Sequence, residues 1–226
     1  MIIALIGFYL AKLFLKPIRE ERVKLNNFIK DTTHELNTPI SAILMSLENK
    51  NPSEKQLERV KISANRISEI YRDLTYLFLE NKEHKKEIKE LDLSLVIKEQ
   101  IDSFEPLFTK KRIEVKIDIE SMNYKINKDD FIRLFNNLFS NAIKYNKING
   151  KIEVILKENI LIIKDTGIGI NKDKLKDIYK RYYRATNQNG GFGLGLNIVN
   201  MICKNYNIKI EVQSVENEET TFKLIF

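Results

Sequence analysis

Residues 57–78 read LERVKISANRISEIYRDLTYLF and place apolar side chains at alternating spacings of three and four. The seven positions are Leu57, Val60, Ala64, Ile67, Tyr71, Leu74 and Phe78. Such a heptad seam predicts a helix that packs in a coiled coil or a four-helix bundle. A second predicted helix with a looser seam lies upstream, and residues 49–53 separate the two. Ser53 and Gln56 form a predicted capping box at the start of the later helix. Since two such helices cannot bury both seams alone, we expect a homodimer that forms a four-helix bundle.

The upstream helix carries the segment His34-Glu35-Leu36-Asn37-Thr38-Pro39. His34 lies about 200° around the helix from Thr32 and from Leu36, which belong to the seam, so its imidazole is expected to face solvent. An imidazole is largely uncharged near neutral pH, and its ring nitrogen can act as a nucleophile. Pro39 removes one helical donor and frees the carbonyl of Glu35, which predicts a bend beside the imidazole.

The composition is that of a folded protein and excludes several classes of site. The chain has 226 residues, enough for one large or two small domains. Cys203 is the single cysteine, so a disulfide framework and a cysteine metal site are excluded. The net charge is +7, but 38 Lys and Arg residues are scattered among 31 Asp and Glu residues. Because no basic block is interleaved with aromatic residues, direct binding of nucleic acid is not expected.

The amino-terminal residues 1–15 are apolar apart from Lys12. A helix of this length spans about 22 Å, which is short of a full bilayer core. We interpret residues 1–15 as the remnant of a transmembrane helix that follows a sensory part. A buried core helix or an aggregation-prone leader is the alternative. In the membrane interpretation, the basic residues at the downstream end would face the cytoplasm under the positive-inside rule, namely Lys12, Lys16, Arg19 and Arg22.

Beyond a charged linker at residues 81–87, the pattern predicts a mixed α+β layer with one sheet and helices on a face. Predicted helices span residues 91–109, 129–145 and 193–206. Predicted strands span residues 112–119, 151–156, 159–164, 208–214 and 220–226, and the second and third of these form a hairpin.

The predicted helix at residues 129–145 has five polar side chains within about 80° of each other. They are Asp130, Arg133, Asn137, Asn141 and Lys144. Such a stripe is usually a solvated face, but asparagine is a poor helix former, and two on one stripe indicate a use. An amide oxygen suits Mg²⁺, and a lysine beside it suits a phosphate group.

Glycines cluster after a predicted buried strand and again before the last predicted helix. The first cluster is Asp165-Thr166-Gly167-Ile168-Gly169, where glycines allow close approach of a backbone to a ligand. A β-turn with an aspartate explains this cluster equally well. The second cluster is Gly190-Gly191-Phe192-Gly193-Leu194-Gly195, where N–H groups at a helix start favour a phosphate. It is not a Walker loop, since no Gly-Lys-Ser/Thr follows, and no strand precedes it as in a dinucleotide fold.

Five motifs taken in chain order resemble the H, N, G1, F and G2 boxes of two-component sensor histidine kinases. They lie at residues 34–39, 137–145, 165–169, 179–184 and 191–196, and the fourth reads YKRYYR. The resemblance covers residues 20–226. It implies a dimerisation and phosphoacceptor hairpin at residues 16–85, followed at residues 86–226 by a Bergerat-type α/β-sandwich ATP-binding domain.

The resemblance implies roles for side chains of the H and F boxes. His34 would accept the phosphoryl group, and Glu35 would polarise its imidazole. Thr38 would help to position water for dephosphorylation of a partner. Arg181 and Arg184 would steady the transferring γ-phosphate, where fixed cations meet developing charge.

The other boxes imply a site for ATP and Mg²⁺. Asn141 would bind Mg²⁺, Asn137 and Lys144 would contact phosphates, and Tyr145 would belong to the same nucleotide-binding set. Asp165 would accept a hydrogen bond from the adenine amino group. The glycines implied are Gly167 and Gly169, which would shape the adenine pocket, and Gly191, Gly193 and Gly195, which would hinge a lid.

The complete resemblance implies a homodimeric protein-histidine kinase tethered by its amino terminus to the bacterial inner (cytoplasmic) membrane, with its kinase domains in the cytoplasm. It would move the γ-phosphoryl group of ATP to His34 and then to an aspartate on the receiver domain of a cognate response regulator. It would also act as a phosphatase of that regulator. Two alternatives stay open: an ATP-dependent conformational machine that forms no phosphoprotein, and a non-catalytic scaffold that dimerises and binds a regulator.

Overall fold

The computed structural model describes residues 2–48, 51–78, 87–180, 183 and 193–226. Contacts divide the chain into two compact units, Met1–Thr75 and Tyr76–Phe226. The predicted domain boundary between residues 85 and 86 lies outside the described residues, as does most of the predicted linker.

The first unit is a helical hairpin. Helix α1 spans Ile2–Leu47, and helix α2 spans Glu54–Phe78. The predicted capping box begins α2: the Ser53 amide donates to Gln56 Oε1 at 2.8 Å, and the Gln56 amide donates to Ser53 Oγ at 3.4 Å. These bonds satisfy donors that a helix start otherwise leaves without partners. Among the helices that the structure describes, none is both long enough and apolar enough to cross a bilayer.

The predicted seam of α2 is only partly buried within one chain. Leu57 is 51% exposed and Tyr71 is 67% exposed, whereas Ser63 and Ile70 beside the seam are buried, as is Tyr76 near the end of α2. Successive residues of a helix are turned by about 100°, so the buried line and the exposed line occupy different sides of α2. The half-buried members of the seam are Val60, Ile67 and Leu74. The apolar stripe is therefore wider than the surface buried in a single chain.

The second unit contains seven strands, five of them in one sheet, with helices packed on that sheet. Its strands are β1 Lys89–Asp92, β2 Glu114–Ile119, β3 Asn123–Ile126, β4 Lys151–Lys157, β5 Ile160–Asp165, β6 Lys209–Val215 and β7 Glu219–Ile225. Its helices are α3 Leu93–Ser103, α4 Glu105–Lys110, α5 Lys128–Lys144 and α6 Gly195–Asn205. The sheet order is β2-β4-β5-β7-β6. β2 is parallel to β4, and the other neighbours are antiparallel. β1 and β3 form a separate antiparallel pair.

Alternation along the strands decides which face of the sheet is buried. β4 buries Ile152, Val154 and Leu156, and β7 buries Phe222 and Leu224. Side chains at alternate positions share one face of a sheet, so these residues form a continuous apolar layer. α5 contacts β5, α6 contacts β6, and the two helices contact each other. This arrangement confirms the predicted helical region followed by a mixed α/β domain.

The predicted single helix at residues 91–109 is wrong. The structure has β1 up to Asp92, then α3 and α4, which separate at Phe104. Asp92 caps α3 by accepting a hydrogen bond from the Ser94 amide at 2.9 Å. Pro106 has no N–H group with which to continue the ladder of α3, and it fits the first turn of a new helix. The chain therefore restarts as α4.

Candidate functional site

His34 lies exposed on α1, in the orientation that its spacing from Thr32 and Leu36 predicts. The main-chain carbonyl of His34 accepts a hydrogen bond from the Thr38 hydroxyl at 3.2 Å. Such a bond to the carbonyl four residues earlier ties Thr38 to the turn that carries the imidazole. An incoming group can therefore reach the imidazole, with one hydroxyl held a turn away.

Glu35 is oriented toward the second helix of the hairpin. Its carboxylate lies 3.7 Å from Arg66 Nη2 on α2, and the side chains are 24% and 38% exposed, respectively. Adjacent positions on a helix point about 100° apart, so Glu35 can face α2 while the preceding residue faces solvent. The ion pair directs the Glu35 carboxylate toward Arg66 on α2.

An open groove runs beside His34 between α1 and α2. It is lined by His34, Asn37, Thr38, Ser41, Ala42, Met45 and Arg59. The lining thus combines the hydroxyl groups of Thr38 and Ser41, the apolar side chains of Ala42 and Met45, and the cation of Arg59 near the exposed imidazole. A partner seated in this groove would contact His34.

The polar stripe of α5 borders the core of the second unit. Asn127 begins the helix, and its side chain accepts hydrogen bonds from the Asp129 and Asp130 amides at 3.0 and 3.1 Å. One face of α5 is buried, through Phe131, Leu134, Phe135, Leu138, Phe139, Ala142 and Ile143. The predicted ligands on the other side are half-buried, namely Asn137, Asn141, Lys144 and Tyr145. The buried face of α5 thus holds the helix in place, while the polar groups on its other side stay partly accessible to solvent.

Asp130 does not belong to this stripe, contrary to the sequence analysis. It is 2% exposed, and its carboxylate accepts a hydrogen bond from the Tyr206 hydroxyl at 2.7 Å. Tyr206 caps the carboxyl end of α6. Asp130 therefore ties the first turn of α5 to the end of α6.

Gly195 brings the start of α6 against the stripe of α5. A Cβ atom at Gly195 would lie 2.3 Å from Asn137 Oδ1. The Asn137 amide is held in place because its Nδ2 donates to the Arg133 carbonyl at 2.8 Å. Only glycine permits this approach, so the asparagine stripe and the glycine-rich helix start form one site.

We expect Gly195→Ala to lower the free energy of unfolding by about 1–3 kcal/mol, because the added methyl group overlaps the Asn137 amide. In Gly195→Ala/Asn137→Ala most of this loss should be recovered, since the Cβ of residue 137 is 3.8 Å from the new methyl carbon. Thermal unfolding of the two single variants and the double variant measures the coupling. Strictly additive losses would mean that the two residues do not meet.

Asp165 is a buried carboxylate at the end of β5. It is 6% exposed, and its Oδ1 accepts a hydrogen bond from the Gly167 amide at 2.9 Å. Burial raises the pKa of Asp165 from 3.8 to about 7; the bond from Gly167 opposes this shift, and the charge of Glu219 adds to it. An ionised carboxylate in such a place is a strong acceptor for an amino group.

The turn after Asp165 is clamped between two elements. A Cβ atom at Gly167 would lie 2.4 Å from the Tyr145 carbonyl oxygen, which also accepts the Ile168 amide at 3.1 Å. Gly169 has a φ of 62°, and a Cβ atom there would lie 2.1 Å from the Val215 carbonyl oxygen. These approaches and the positive φ require glycine. The turn is thus built between the end of α5 and the β6–β7 hairpin.

Two side chains that the sequence analysis did not single out hold this turn. Asn146 is buried, its Nδ2 donates to the Lys151 carbonyl at 3.0 Å, and its Oδ1 accepts from Thr166 Oγ1 at 3.4 Å. Ser214 Oγ accepts a hydrogen bond from the Ile170 amide at 2.8 Å. Neither residue has a local signal, because asparagine after a helix and serine in a strand are common.

Several predicted residues lie outside the described part of the chain. Arg181, Arg184 and Gly191 are among them. Gly193 is described and has a φ of 65°, a conformation that suits the turn before α6.

The side-chain oxygen atoms of the site suit a cation that binds together with a nucleotide. Among the described residues, no three His, Cys, Asp or Glu side chains gather closely enough to hold a metal ion. Mg²⁺ usually takes only one or two protein ligands and completes its shell with phosphate oxygens and water. The half-buried amide of Asn141 fits that requirement.

Comparison with known proteins finds two family models in this chain. Residues 24–82 match the His Kinase A (phospho-acceptor) domain. Residues 126–226 match the histidine kinase-, DNA gyrase B-, and HSP90-like ATPase. The signal transduction histidine-protein kinase ArlS of Staphylococcus haemolyticus is 30% identical, over 92% of this chain and 50% of its own length. The chain spans about half the length of the curated relatives it matches.

Two solved structures share the fold. The Acinetobacter baumannii histidine kinase AdeS has a TM-score of 0.64 and 23% identity, covering 84% of this chain and 95% of that one. The histidine kinase ThkA, solved in complex with the response regulator protein TrrA, has a TM-score of 0.62 and 21% identity. That likeness covers 96% of this chain and 65% of ThkA.

The matches coincide with the groups described above. The phospho-acceptor match contains His34 and the part of α1 from residue 24 onward, and the ATPase match contains both the stripe of α5 and the turn after Asp165. The chain belongs to the family of two-component sensor histidine kinases.

Proposed function

We propose that this chain forms a phosphohistidine at His34 with the γ-phosphoryl group of ATP and passes that group to an aspartate of a response regulator. The observation that carries the proposal is the exposed imidazole of His34 within the phospho-acceptor match. Incubation with γ-labelled ATP tests it: the protein should acquire a label that survives alkali and is lost in acid. Rapid release of phosphate with no labelled protein would favour the ATP-dependent conformational machine instead. Failure to bind Mg·ATP would favour the scaffold.

The second unit supplies the proposed nucleotide site. Asp165 would accept the hydrogen bond of the adenine amino group, and Gly167 and Gly169 would shape the adenine pocket through the tight turn that they permit after it. Asn141 would hold Mg²⁺, which neutralises phosphate charge when bound. The remaining proposed contacts to the nucleotide come from Asn137, Lys144, Tyr145, Gly193 and Gly195, and from Gly191 outside the described residues.

The proposed transfer needs little covalent chemistry from other residues. A ring nitrogen of His34 forms a bond to the γ-phosphorus, the bond from that phosphorus to the β–γ bridging oxygen breaks, and ADP leaves with the electron pair. The phosphorylated ring gives up one proton, and Glu35, which polarises the imidazole, is the proposed acceptor. Arg181 and Arg184 are proposed to stabilise the charge on the phosphoryl group. Positioning and electrostatics therefore supply most of the catalysis.

A second copy of the chain is the proposed partner of the first unit. The exposed line through Leu57 and Tyr71 carries apolar area that a four-helix bundle would bury. The response regulator is the proposed occupant of the groove beside His34, and the complex of ThkA with TrrA supports a regulator as partner. Thr38, one turn beyond the imidazole, is the proposed residue for dephosphorylation of the regulator. Residues 1–15 are proposed to tether the protein to the bacterial inner membrane, with the rest of the first unit and the second unit in the cytoplasm.

Adenosine is expected to bind about tenfold more weakly at pH 6 than at pH 8, because Asp165 must be ionised to accept the amino group and its pKa is about 7. Adenosine carries no phosphate, so its own groups do not titrate in this range. Amide NMR shifts of the second unit, followed during titration with adenosine at each pH, measure the affinity. Equal affinity at both values of pH would exclude Asp165 as the ionised acceptor.

A further inference from the structure

Lys111 binds the carboxyl end of the helix that carries the proposed nucleotide ligands. Its ammonium group donates to the carbonyl oxygens of Ile143, Lys144 and Asn146 at 2.9, 2.8 and 3.3 Å. The last carbonyls of a helix have no partner within the helix, and they carry the negative end of its dipole. One cation thus satisfies three acceptors where α5 stops.

The backbone around Lys111 is fixed by the way α4 ends. Arg112 has a φ of 54°, in the left-handed region. Its amide donates to the Thr109 carbonyl at 2.9 Å, and the Ile113 amide donates to the Phe108 carbonyl at 2.9 Å. This pair of bonds is the Schellman arrangement, with Lys111 as the C-cap residue directly after the helix. A non-glycine residue held in that conformation indicates that the surrounding structure determines it.

Lys111 is also held by its main chain to the segment that follows α5. Its carbonyl accepts a hydrogen bond from the Asn149 amide at 3.1 Å. Partial burial removes water from the ammonium group, which disfavours its charged form and lowers the pKa of Lys111. The side chain and the main chain of one residue therefore bracket residues 143–149.

This segment in turn carries the turn after Asp165. The Tyr145 carbonyl accepts the Ile168 amide at 3.1 Å. Asn146 Oδ1 accepts from Thr166 Oγ1, and Thr166 Oγ1 accepts from the Lys151 amide at 2.9 Å. A shift of the end of α5 would therefore displace the turn that surrounds the Asp165 carboxylate.

We propose that Lys111 is a positioning residue of the nucleotide site, which fixes the adenine end of the site by gathering the carbonyl oxygens at the end of α5. The inference rests on the proposed binding of ATP at Asp165. Lys111 acts through Tyr145 and Asn146 and does not itself touch the nucleotide. Because it supports the adenine end, its loss affects binding of the base and leaves the transfer step unchanged once the site is saturated.

Lys111→Met in the full chain tests this, with Lys110→Met as the matched control, since Lys110 is the adjacent residue and is exposed. Lys111→Met is expected to raise the Kd for adenosine and for ADP by the same factor, about tenfold, with kcat at saturating ATP within about twofold of wild type. Lys110→Met should change neither. Lys111→Arg keeps the charge and the donors, and it should stay closer to the wild-type Kd. If Lys111→Met does not fold, Lys111→Gln replaces it, with a smaller rise expected.

Hydrogen exchange separates positioning from general stability. The Ile168 amide should exchange faster in Lys111→Met, whereas the Val154 amide in the middle of β4 should keep its rate. An unchanged Kd accompanied only by a lower Tm would overturn the inference, and so would a loss of kcat with KM unchanged. If the wild-type chain binds neither adenosine nor ADP, the proposed function itself fails. Binding by the wild type that Lys111→Met leaves intact refutes the role of Lys111 alone.

Discussion

His34→Gln abolishes the alkali-stable phosphoryl label that the wild-type chain is expected to acquire from γ-labelled ATP. Glutamine is polar and similar in size, but its amide has no nucleophilic lone pair. We therefore expect a loss of at least about 1000-fold in the labelling rate, since the group that accepts the phosphoryl has been removed. Quantitative autoradiography after alkaline gel electrophoresis measures the label.

Two controls make this result specific to the site. ADP should bind His34→Gln as tightly as wild type, because His34 lies in the first unit and the proposed nucleotide ligands lie in the second. His84→Gln removes the only other histidine of the chain and should leave the label intact. Labelling of His34→Gln at the wild-type rate would assign the phosphoryl group to another residue.

Asp165→Asn is expected to weaken binding of adenosine and ADP at pH 8 by at least about 100-fold. The reason is that the NH2 group of asparagine would face the adenine amino group, and both of these groups are hydrogen-bond donors. The hydrogen bond from the Gly167 amide can still be accepted by the asparagine oxygen, so the turn keeps its local support. Isothermal titration calorimetry with ADP measures the loss. Affinity within threefold of wild type would remove Asp165 from the site.

The same substitution is expected to stabilise the unliganded protein. The pKa of Asp165 is about 7 in the folded chain and 3.8 as its ordinary value, so the folded chain holds the proton more tightly. The stability contributed by this group is therefore fully present below pH 3.8 and is lost as the pH rises through about 7. At pH 8 Asp165→Asn should gain about 2–4 kcal/mol, from about 1.4 kcal/mol per unit of pKa difference.

Unfolding measured from pH 8 toward pH 4 checks the sign of this effect. The advantage of Asp165→Asn should shrink as the pH falls, because the wild-type carboxyl takes up its proton. Asp102→Asn removes an exposed carboxylate of α3 and should change stability by less than about 0.5 kcal/mol. A gain that is the same at every pH would mean that ionisation of Asp165 is not its cause.

Short sequence patterns correctly predicted the helix cap and the hairpin, because neighbouring residues determine both of these features. The capping box of Ser53 and Gln56 forms as expected. The predicted hairpin of β4 and β5 is confirmed, with its turn at Glu158 and Asn159, whose φ values are 49° and 63°. Positive φ at both positions matches the twist of a two-residue hairpin. Each of these features depends on residues within a few positions of one another.

Elements that depend on distant partners in the chain could not be predicted from local patterns. β1 reads KELD, without an alternating apolar pattern, and it exists because it pairs with β3, with Lys89 opposite Ile126. Asp130 has the helical spacing of the polar stripe, but Tyr206 lies close enough to bind it. The sequence near β1 does not reveal its pairing with β3, and the sequence near Asp130 does not reveal its bond to Tyr206.

In the candidate site, too, some features could be predicted from local sequence patterns and others depend on residues far apart in the chain. The carboxylate of Asp165 and the glycines after it could be predicted, because a buried strand that ends in such a turn has a recognisable pattern. The bonds of Lys111 to the end of α5 could not, since they join residues at least 32 positions apart. The short distance from Gly195 to Asn137 is equally invisible in the sequence.

Mapping of the phosphoryl group by mass spectrometry tests the central claim most directly. Tryptic digestion of the labelled protein at alkaline pH yields a peptide of residues 31–50, in which His34 is the only histidine. We predict that this peptide gains one phosphoryl group, located on His34 by fragmentation, and that added ADP removes it again with formation of ATP. A phosphoryl group on any other peptide, or ATP consumption that leaves residues 31–50 unmodified, would contradict the account.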